Sequence, residues 1–317
     1  MRKRTLRVPA SVLAKCGMLG ETGAAWLDGL GDLVERLERE WGIAAGNAMS
    51  GGSEAFVAEA TTRDGRSVVL KLAMPEMEGN GSFENEALAL RLADGRGYAA
   101  LIACDAPGRA MLLERLGEPL SEAGLPPEEQ RSALCAALRA SWAKVPDGAP
   151  LPTGAAIADW HAGFIAERWG ALQPPCGRRA LDRALAFAAS RRAAYDPASS
   201  VLVHGDAHSG NALRDVSGEG PAWKFVDPDG LRAEPAYDLG ILMREWPEEL
   251  SPDPVRNGRA RCAALQTLAG VDARAIWEWG YLQCMSTGLF LLQLGQEREG
   301  LRLLRIAEAW AEEEPFR

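Results

Sequence analysis

Residues 201–211 read Val201-Leu202-Val203-His204-Gly205-Asp206-Ala207-His208-Ser209-Gly210-Asn211, and further on a second stretch reads Lys224-Phe225-Val226-Asp227-Pro228-Asp229-Gly230. A short apolar strand, Val201 to Val203, runs into a polar loop that carries a carboxylate at Asp206 and an amide at Asn211. A second carboxylate, Asp227, closes another strand. These oxygen groups suit phosphoryl transfer, which asks little covalent chemistry of a protein. It needs a carboxylate to accept the proton of an attacking hydroxyl, and oxygen ligands that hold Mg2+ against nucleotide phosphates. Asp206 is therefore the candidate base, with Asn211 and Asp227 as candidate metal ligands. Alone, Asp206 would read as a turn aspartate; the three groups together point to chemistry.

Working outward, 211–227 reads as two short strands around the turn Ser217-Gly218-Glu219-Gly220, and the chain from about 238 to 313 is mostly helical. Trp277 and Trp279 fall on different sides of a helix, so one is expected in the core and the other beside a pocket. Upstream, Ala- and Leu-rich helices are expected around 128–144, 153–170 and 177–195, behind a connector with Pro119, Pro126 and Pro127. Before the connector the character differs. Trp26, Leu27, Leu30, Leu33, Val34, Leu37 and Trp41 recur at helical spacing among charged residues. The β-prone runs Phe56 to Thr62 and Ser67 to Leu72 flank the turn Asp64-Gly65, a hairpin pattern. A helix over Phe83 to Leu92 and strands at Leu101 to Cys104 and Ala110 to Leu113 complete this part. The expected fold class is α+β: a small lobe of antiparallel sheet and helix over 1–116, then a larger, mainly helical lobe over 117–317.

Composition narrows the partners. The chain has 317 residues, 47% apolar and 25% charged, ordinary values for a globular protein that buries its own core. Lys and Arg number 35 against 44 Asp and Glu, and the net charge of −9 disfavours nucleic acid and anionic membranes while favouring cationic partners. The six cysteines form no CxxC pair and only three histidines are present, so reduced thiols are expected rather than a zinc site. The basic start Met1-Arg2-Lys3-Arg4 leads into no apolar leader segment, and the apolar stretch near Leu289 to Leu292 is far short of the ~20 residues that cross a bilayer. A cytoplasmic protein without an obligatory protein partner is the expectation.

The motif His204-Gly205-Asp206-x-His208-x-x-Asn211 resembles the catalytic loop of the aminoglycoside phosphotransferase family, itself part of the protein-kinase-like superfamily. Val226-Asp227-Pro228 stands where kinases carry Asp-Phe-Gly, and Pro235-Ala236-Tyr237-Asp238-Leu239 is similar to the family's following helix start. The resemblance covers nearly the whole chain from about residue 45. Asp94-Gly95-Arg96-Gly97, Met111-Leu112-Leu113-Glu114-Arg115-Leu116 and Asp227-Pro228-Asp229-Gly230 are similar to the branch containing streptomycin 6-phosphotransferases and hydroxyurea phosphotransferases.

The resemblance implies a bilobal, kinase-like fold and an enzyme that moves the γ-phosphoryl group of ATP or GTP, with Mg2+, to a hydroxyl of a small cationic antibiotic, streptomycin above all. Gly51, Gly52 and Ser53 would form the loop covering the phosphates, between a helix and a hairpin. Lys71 takes the place of the strand lysine that contacts α- and β-phosphates, and Glu86 is its preferred ion-pair partner over Glu84. Glu114, Arg115 and Leu116 would be the hinge that meets the base. His204, His208 and Asp238 read as structural parts of the catalytic loop, Asp238 by accepting backbone N–H bonds or capping a helix, and His161 as a packing residue. Acidic residues of the second lobe would receive the acceptor: Asp229 first, then Glu234 and Glu245, with Glu248 and Glu249 also in view. Pro228 replaces the usual aromatic, and no activation segment precedes Asp238, which argues against a protein kinase. A kinase of hydroxyurea or another small metabolite, and a nucleotide-binding pseudokinase, stand as the rival readings.

Overall fold

The computed structural model describes residues 6–49, 52, 54–76, 82–173, 175–218, 220 and 222–313. The chain forms two compact units, Met1–Gly117 and Glu118–Arg317.

The first unit runs α1 (Ala10–Met18), α2 (Gly20–Trp41), β1 (Ile43–Ala48), β2 (Ala55–Thr62), β3 (Ser67–Ala73), α3 (Phe83–Ala93), β4 (Leu101–Asp105) and β5 (Ala110–Glu114). The strands form one antiparallel sheet in the order β1-β2-β3-β5-β4. Leu30, Val34 and Leu37 lie on one stripe of α2 and pack on Phe56, Leu70, Leu72 and Leu112 of the sheet. The apolar stripe thus docks the helix, as its spacing requires. Two elements escape the sequence pattern. The helix α1 carries only Val12 and Cys16 to the interior. The strand β1, Ile-Ala-Ala-Gly-Asn-Ala, has low β propensity and is held by pairing Ile43 with Thr62 and Ala45 with Ala60. The glycine-containing segment after it therefore joins two strands, not a helix and a hairpin.

The second unit runs α4 (Pro127–Ser141), α5 (Gly154–Ala171), α6 (Arg178–Ala194), β6 (Val201–Val203), β7 (Ala212–Arg214), β8 (Trp223–Phe225), β9 (Leu231–Ala233), α7 (Ala236–Arg244), α8 (Pro247–Leu250), α9 (Pro254–Ala269), α10 (Ala273–Gln293) and α11 (Glu297–Ala311). Its strands make two short antiparallel pairs, β6 with β9 and β7 with β8. The strand β9 has no counterpart in the sequence reading. Helix α10 packs against α5, α6, α7, α9 and α11. A helix covered on all sides is apolar all round, so Trp277 and Trp279 are both fully buried and neither lines a pocket, contrary to expectation. No helix among the described residues is long and apolar enough to cross a membrane.

The crossing of α7 and α10 is close because two glycines face it. A Cβ on Gly240 would lie 2.6 Å from Trp279 Cβ and 2.9 Å from the Trp279 carbonyl carbon, and one on Gly280 would lie 2.5 Å from Met243 Cβ. Gly240→Ala is expected to destabilise the protein by about 1–3 kcal/mol, since backbone is among the obstructing atoms. A thermal midpoint equal to wild type would show that the helices part without penalty.

Candidate active site

The buried strand β6 delivers the loop His204–Asn211, and Asp238, on α7, holds it from below. Asp238 accepts from His204 N and Gly205 N, each at 3.0 Å, and from Trp142 Nε1 at 3.0 Å. Burial raises the Asp238 carboxyl above its usual range, against the pull of His204 and these donors. Gly205 adopts φ +98°, and a Cβ there would sit 2.6 Å from Asp229 Cβ, so the loop turns where only glycine fits.

His204 is fully buried and its imidazole is kept neutral, burial outweighing the nearby carboxylates. Its Nδ1 accepts from Asp206 N at 3.0 Å, so Nε2 carries the proton and donates to Val226 O at 2.8 Å. One side chain therefore ties the loop to the residue before Asp227. Asn211 adds a second tie. Its Nδ2 donates to Asp206 O at 3.0 Å and its carbonyl accepts from Val226 N at 2.9 Å. Ala212 pairs with Phe225 across β7 and β8, so Asn211 and Asp227 leave the same end of one hairpin. Asp227 is exposed and left-handed, φ +56°.

This donor set fits Mg2+. The amide nitrogen of Asn211 is bonded to Asp206 O, so its side-chain oxygen is the atom that would serve as a ligand, with the exposed Asp227 at the same end of the hairpin. Two hard oxygen ligands suit an ion that takes its other positions from phosphates and water. Among the described residues no group of three or more His, Cys, Asp or Glu could cage a metal unaided.

Asp206 is 42% exposed at its side chain and meets Arg244 and His208. Arg244 Nη2 donates to Oδ1 at 2.9 Å, and His208 Nε2 stands 3.5 Å from Oδ2. Burial works against ionisation, but His208 and the Arg244 charge prevail and bring the carboxyl down to about 2. The His208 imidazole is raised in return: burial opposes its charge, and Asp206 overcomes that. Its Nδ1 accepts from Gly210 N at 3.0 Å. Sequence spacing did not signal Arg244. Its only mark there is an arginine closing the apolar run Leu239 to Met243.

In the first unit, Lys71 on β3 pairs with Glu86 on α3 at 2.6 Å, and both side chains are buried. Glu84 turns instead to Arg109 at 3.3 Å. Glu114 Oε2 accepts from Ala100 N at 3.0 Å, Arg115 pairs with Glu59 at 3.2 Å, and Leu116 is buried. Gly52 O accepts from Ser11 Oγ at 3.0 Å, while Gly51 and Ser53 lie outside the described residues.

The acidic residues expected to receive an acceptor divide. Asp229 lies against Gly205, its N–H bonded to His204 O at 2.8 Å. Glu245 follows Arg244 at the end of α7, and burial raises its carboxyl despite Arg244 and His208. Glu234 is partly exposed and already partnered: its carboxylate accepts from Trp279 Nε1 at 2.8 Å and pairs with Arg191 at 3.3 Å. Glu249 is likewise held by Arg131 and Arg261, at 2.6 and 2.8 Å.

A five-stranded antiparallel sheet with a mainly helical second unit is the architecture of the protein-kinase-like fold, and the family match makes the chain a phosphotransferase. The chain belongs to the aminoglycoside/hydroxyurea antibiotic resistance kinase family, whose model matches residues 40–295. It is 29% identical over 292 residues to a streptomycin 6-kinase of Streptomyces glaucescens, covering 92% of each chain. It is 33% identical over 275 residues to a hydroxyurea phosphotransferase of Kitasatospora aureofaciens, covering 82% of this chain and 76% of that one. Among solved structures, a choline kinase from Streptococcus pneumoniae matches with a TM-score of 0.60 at 13% identity, covering 90% of this chain and 99% of that one. That last likeness is one of fold.

Proposed function

We propose that the protein transfers the γ-phosphoryl group of ATP or GTP to a hydroxyl of streptomycin, and so protects its host from the drug. The observation that carries the chemistry is that Asp206, Asn211 and Asp227 lie in one hydrogen-bonded loop and hairpin. Asp206 accepts the proton of the attacking hydroxyl. With its pKa near 2 it is ionised throughout the physiological range and a weak base. It takes the proton late, once bond formation to phosphorus has made the hydroxyl acidic. Asn211 and Asp227 would hold a Mg2+ ion, which when bound would neutralise the phosphate charge. Lys71, held by Glu86, engages the α- and β-phosphates, Gly51 to Ser53 cover them, and the backbone of Glu114 to Leu116 meets the base.

Streptomycin is favoured as acceptor by the relative of that name, which matches over 92% of both chains. Asp229 and Glu245 beside the loop suit its guanidinium groups, which pair well with carboxylates. Hydroxyurea is the second reading, favoured by the higher identity to a hydroxyurea phosphotransferase. It is small and neutral, and needs no flanking carboxylate. Labelled nucleotide offered with streptomycin, a second aminoglycoside and hydroxyurea separates them. Streptomycin is expected to give the largest kcat/KM, by about tenfold or more, an interval of about 1.4 kcal/mol. Label on hydroxyurea alone would transfer the assignment to the second reading. Nucleotide binding without turnover would mark a pseudokinase.

A further inference from the structure

Arg244 has no task in the chemistry described so far, although it touches the reacting carboxylate. We propose that Arg244 is the positioning residue for Asp206, fixing the plane of its carboxylate so that Oδ2 is the atom that accepts the proton. The proposal rests on the reading of Asp206 as the base.

Three observations carry it. The guanidinium is shared between two partners on different elements: Nη2 donates to Asp206 Oδ1 at 2.9 Å, and Nη1 donates to Thr287 Oγ1 on α10. Among the described residues, Asp206 is the only carboxylate within ion-pair distance of Arg244. Next, the backbone that carries Arg244 is itself pinned. Arg261, buried on α9, donates to the carbonyls of Met243, Glu245 and Trp246, which flank Arg244, and to Glu249. Trp246 adopts φ +47°, a conformation unfavourable to a bulky residue that persists only where its surroundings enforce it. The end of α7 is thus held in a strained turn directly after Arg244. Finally, the Arg244 side chain is only 15% exposed against 42% for Asp206, so the pair is anchored on its buried, cationic side.

Rotation about the terminal bond of an aspartate is soft. Pinning Oδ1 removes that freedom and leaves Oδ2, on the side of His208, for the acceptor. In the transfer, the acceptor oxygen bonds to the γ-phosphorus as the bond from phosphorus to the bridging oxygen of the leaving nucleoside diphosphate breaks. The hydroxyl O–H bond breaks and its proton passes to Asp206 Oδ2. Lysine does not substitute, because one ammonium on a flexible stem does not span two partners as the planar fork does.

The test compares Arg244→Ala, Arg244→Lys and Thr287→Val in the full chain, with ATP, Mg2+ and whichever acceptor of the panel the wild type uses best, and with water as acceptor, read as ADP release. The acceptor chosen by the wild type judges the streptomycin reading; the variants judge Arg244. Arg244→Ala is expected to lose about 100-fold in kcat, the scale of a displaced catalytic group, with the nucleotide KM within about threefold. Added guanidinium ion, at concentrations that leave the wild type unaffected, should restore about a tenth of the lost rate, whereas methylammonium should not. Arg244→Lys should stay near the alanine level, and Thr287→Val should fall between. A kcat within threefold of wild type in Arg244→Ala would overturn the proposal. So would a loss that guanidinium fails to relieve, which would make Arg244 a packing residue.

Discussion

Asp206→Asn is expected to lower kcat by about 10²–10⁴-fold, the range for loss of a positioned general base, while the KM for nucleotide stays within a few-fold. The separation follows from the site. Asp206 is the group proposed for the acceptor, whereas the groups proposed for the nucleotide, Lys71 and Glu86, form their own buried pair in the other unit. The amide keeps the shape and can still accept from Arg244 Nη2 at Oδ1, so the loop is expected to hold its form. Folding stability should change little, because the carboxylate is 42% exposed and a pair of that kind contributes modestly. Its pKa is depressed on folding, so whatever stability the pair gives is present at pH above the ordinary value of 3.8 and is lost as pH falls toward 2. Stability at neutral pH thus has the pair intact. Asp206→Ala, which also removes the shape, should be at least as impaired in turnover and should give no growth protection against the drug. Rates within tenfold of wild type in either variant would remove Asp206 from the chemistry.

Asp227→Asn should cost about a thousandfold in kcat, roughly 4 kcal/mol, and should raise the Mg2+ concentration needed for half-maximal rate by tenfold or more. Asparagine is the informative replacement. Asp227 sits at φ +56°, where asparagine is among the few residues tolerated, so the backbone need not move. What changes is one negative charge on an exposed oxygen ligand. Asn211 remains to hold the ion by its amide oxygen, which leaves a weakened site rather than none. Thermal stability should match wild type. An unchanged Mg2+ dependence would place the metal elsewhere, whatever happened to kcat.

The groups of the candidate site could be proposed from the chain because their relations are local. Asp206 and Asn211 share one loop, and Asn211 and Asp227 flank one hairpin whose turn is visible in Ser217 to Gly220. Lys71 lies in a β-prone run, in a hairpin closed at Asp64-Gly65. The amphipathic stripe of α2 announces its docking face in the same way. By contrast, β1 and β9 are short or built of weak strand formers. They exist because a neighbouring strand supplies their hydrogen bonds, as β6 does for Leu231 to Ala233.

By itself, the sequence determined which groups could perform the chemistry and in what order along the chain, since loop and hairpin spacing survive without tertiary contacts. Only the tertiary structure decided how those groups are held and which candidates remain. Asp206 meets Arg244 across 38 residues of chain because α7 packs beneath the loop, its Asp238 holding the backbone of His204 and Gly205. Glu234 is held by Arg191 and Trp279 because α6 and α10 bring those side chains to it. Trp277 and Trp279 are both interior because α10 is covered on every side. The physical reason is common to all three. Helix packing joins side chains that are remote in sequence, and its close approaches are set by surface shape rather than by any local pattern of residues.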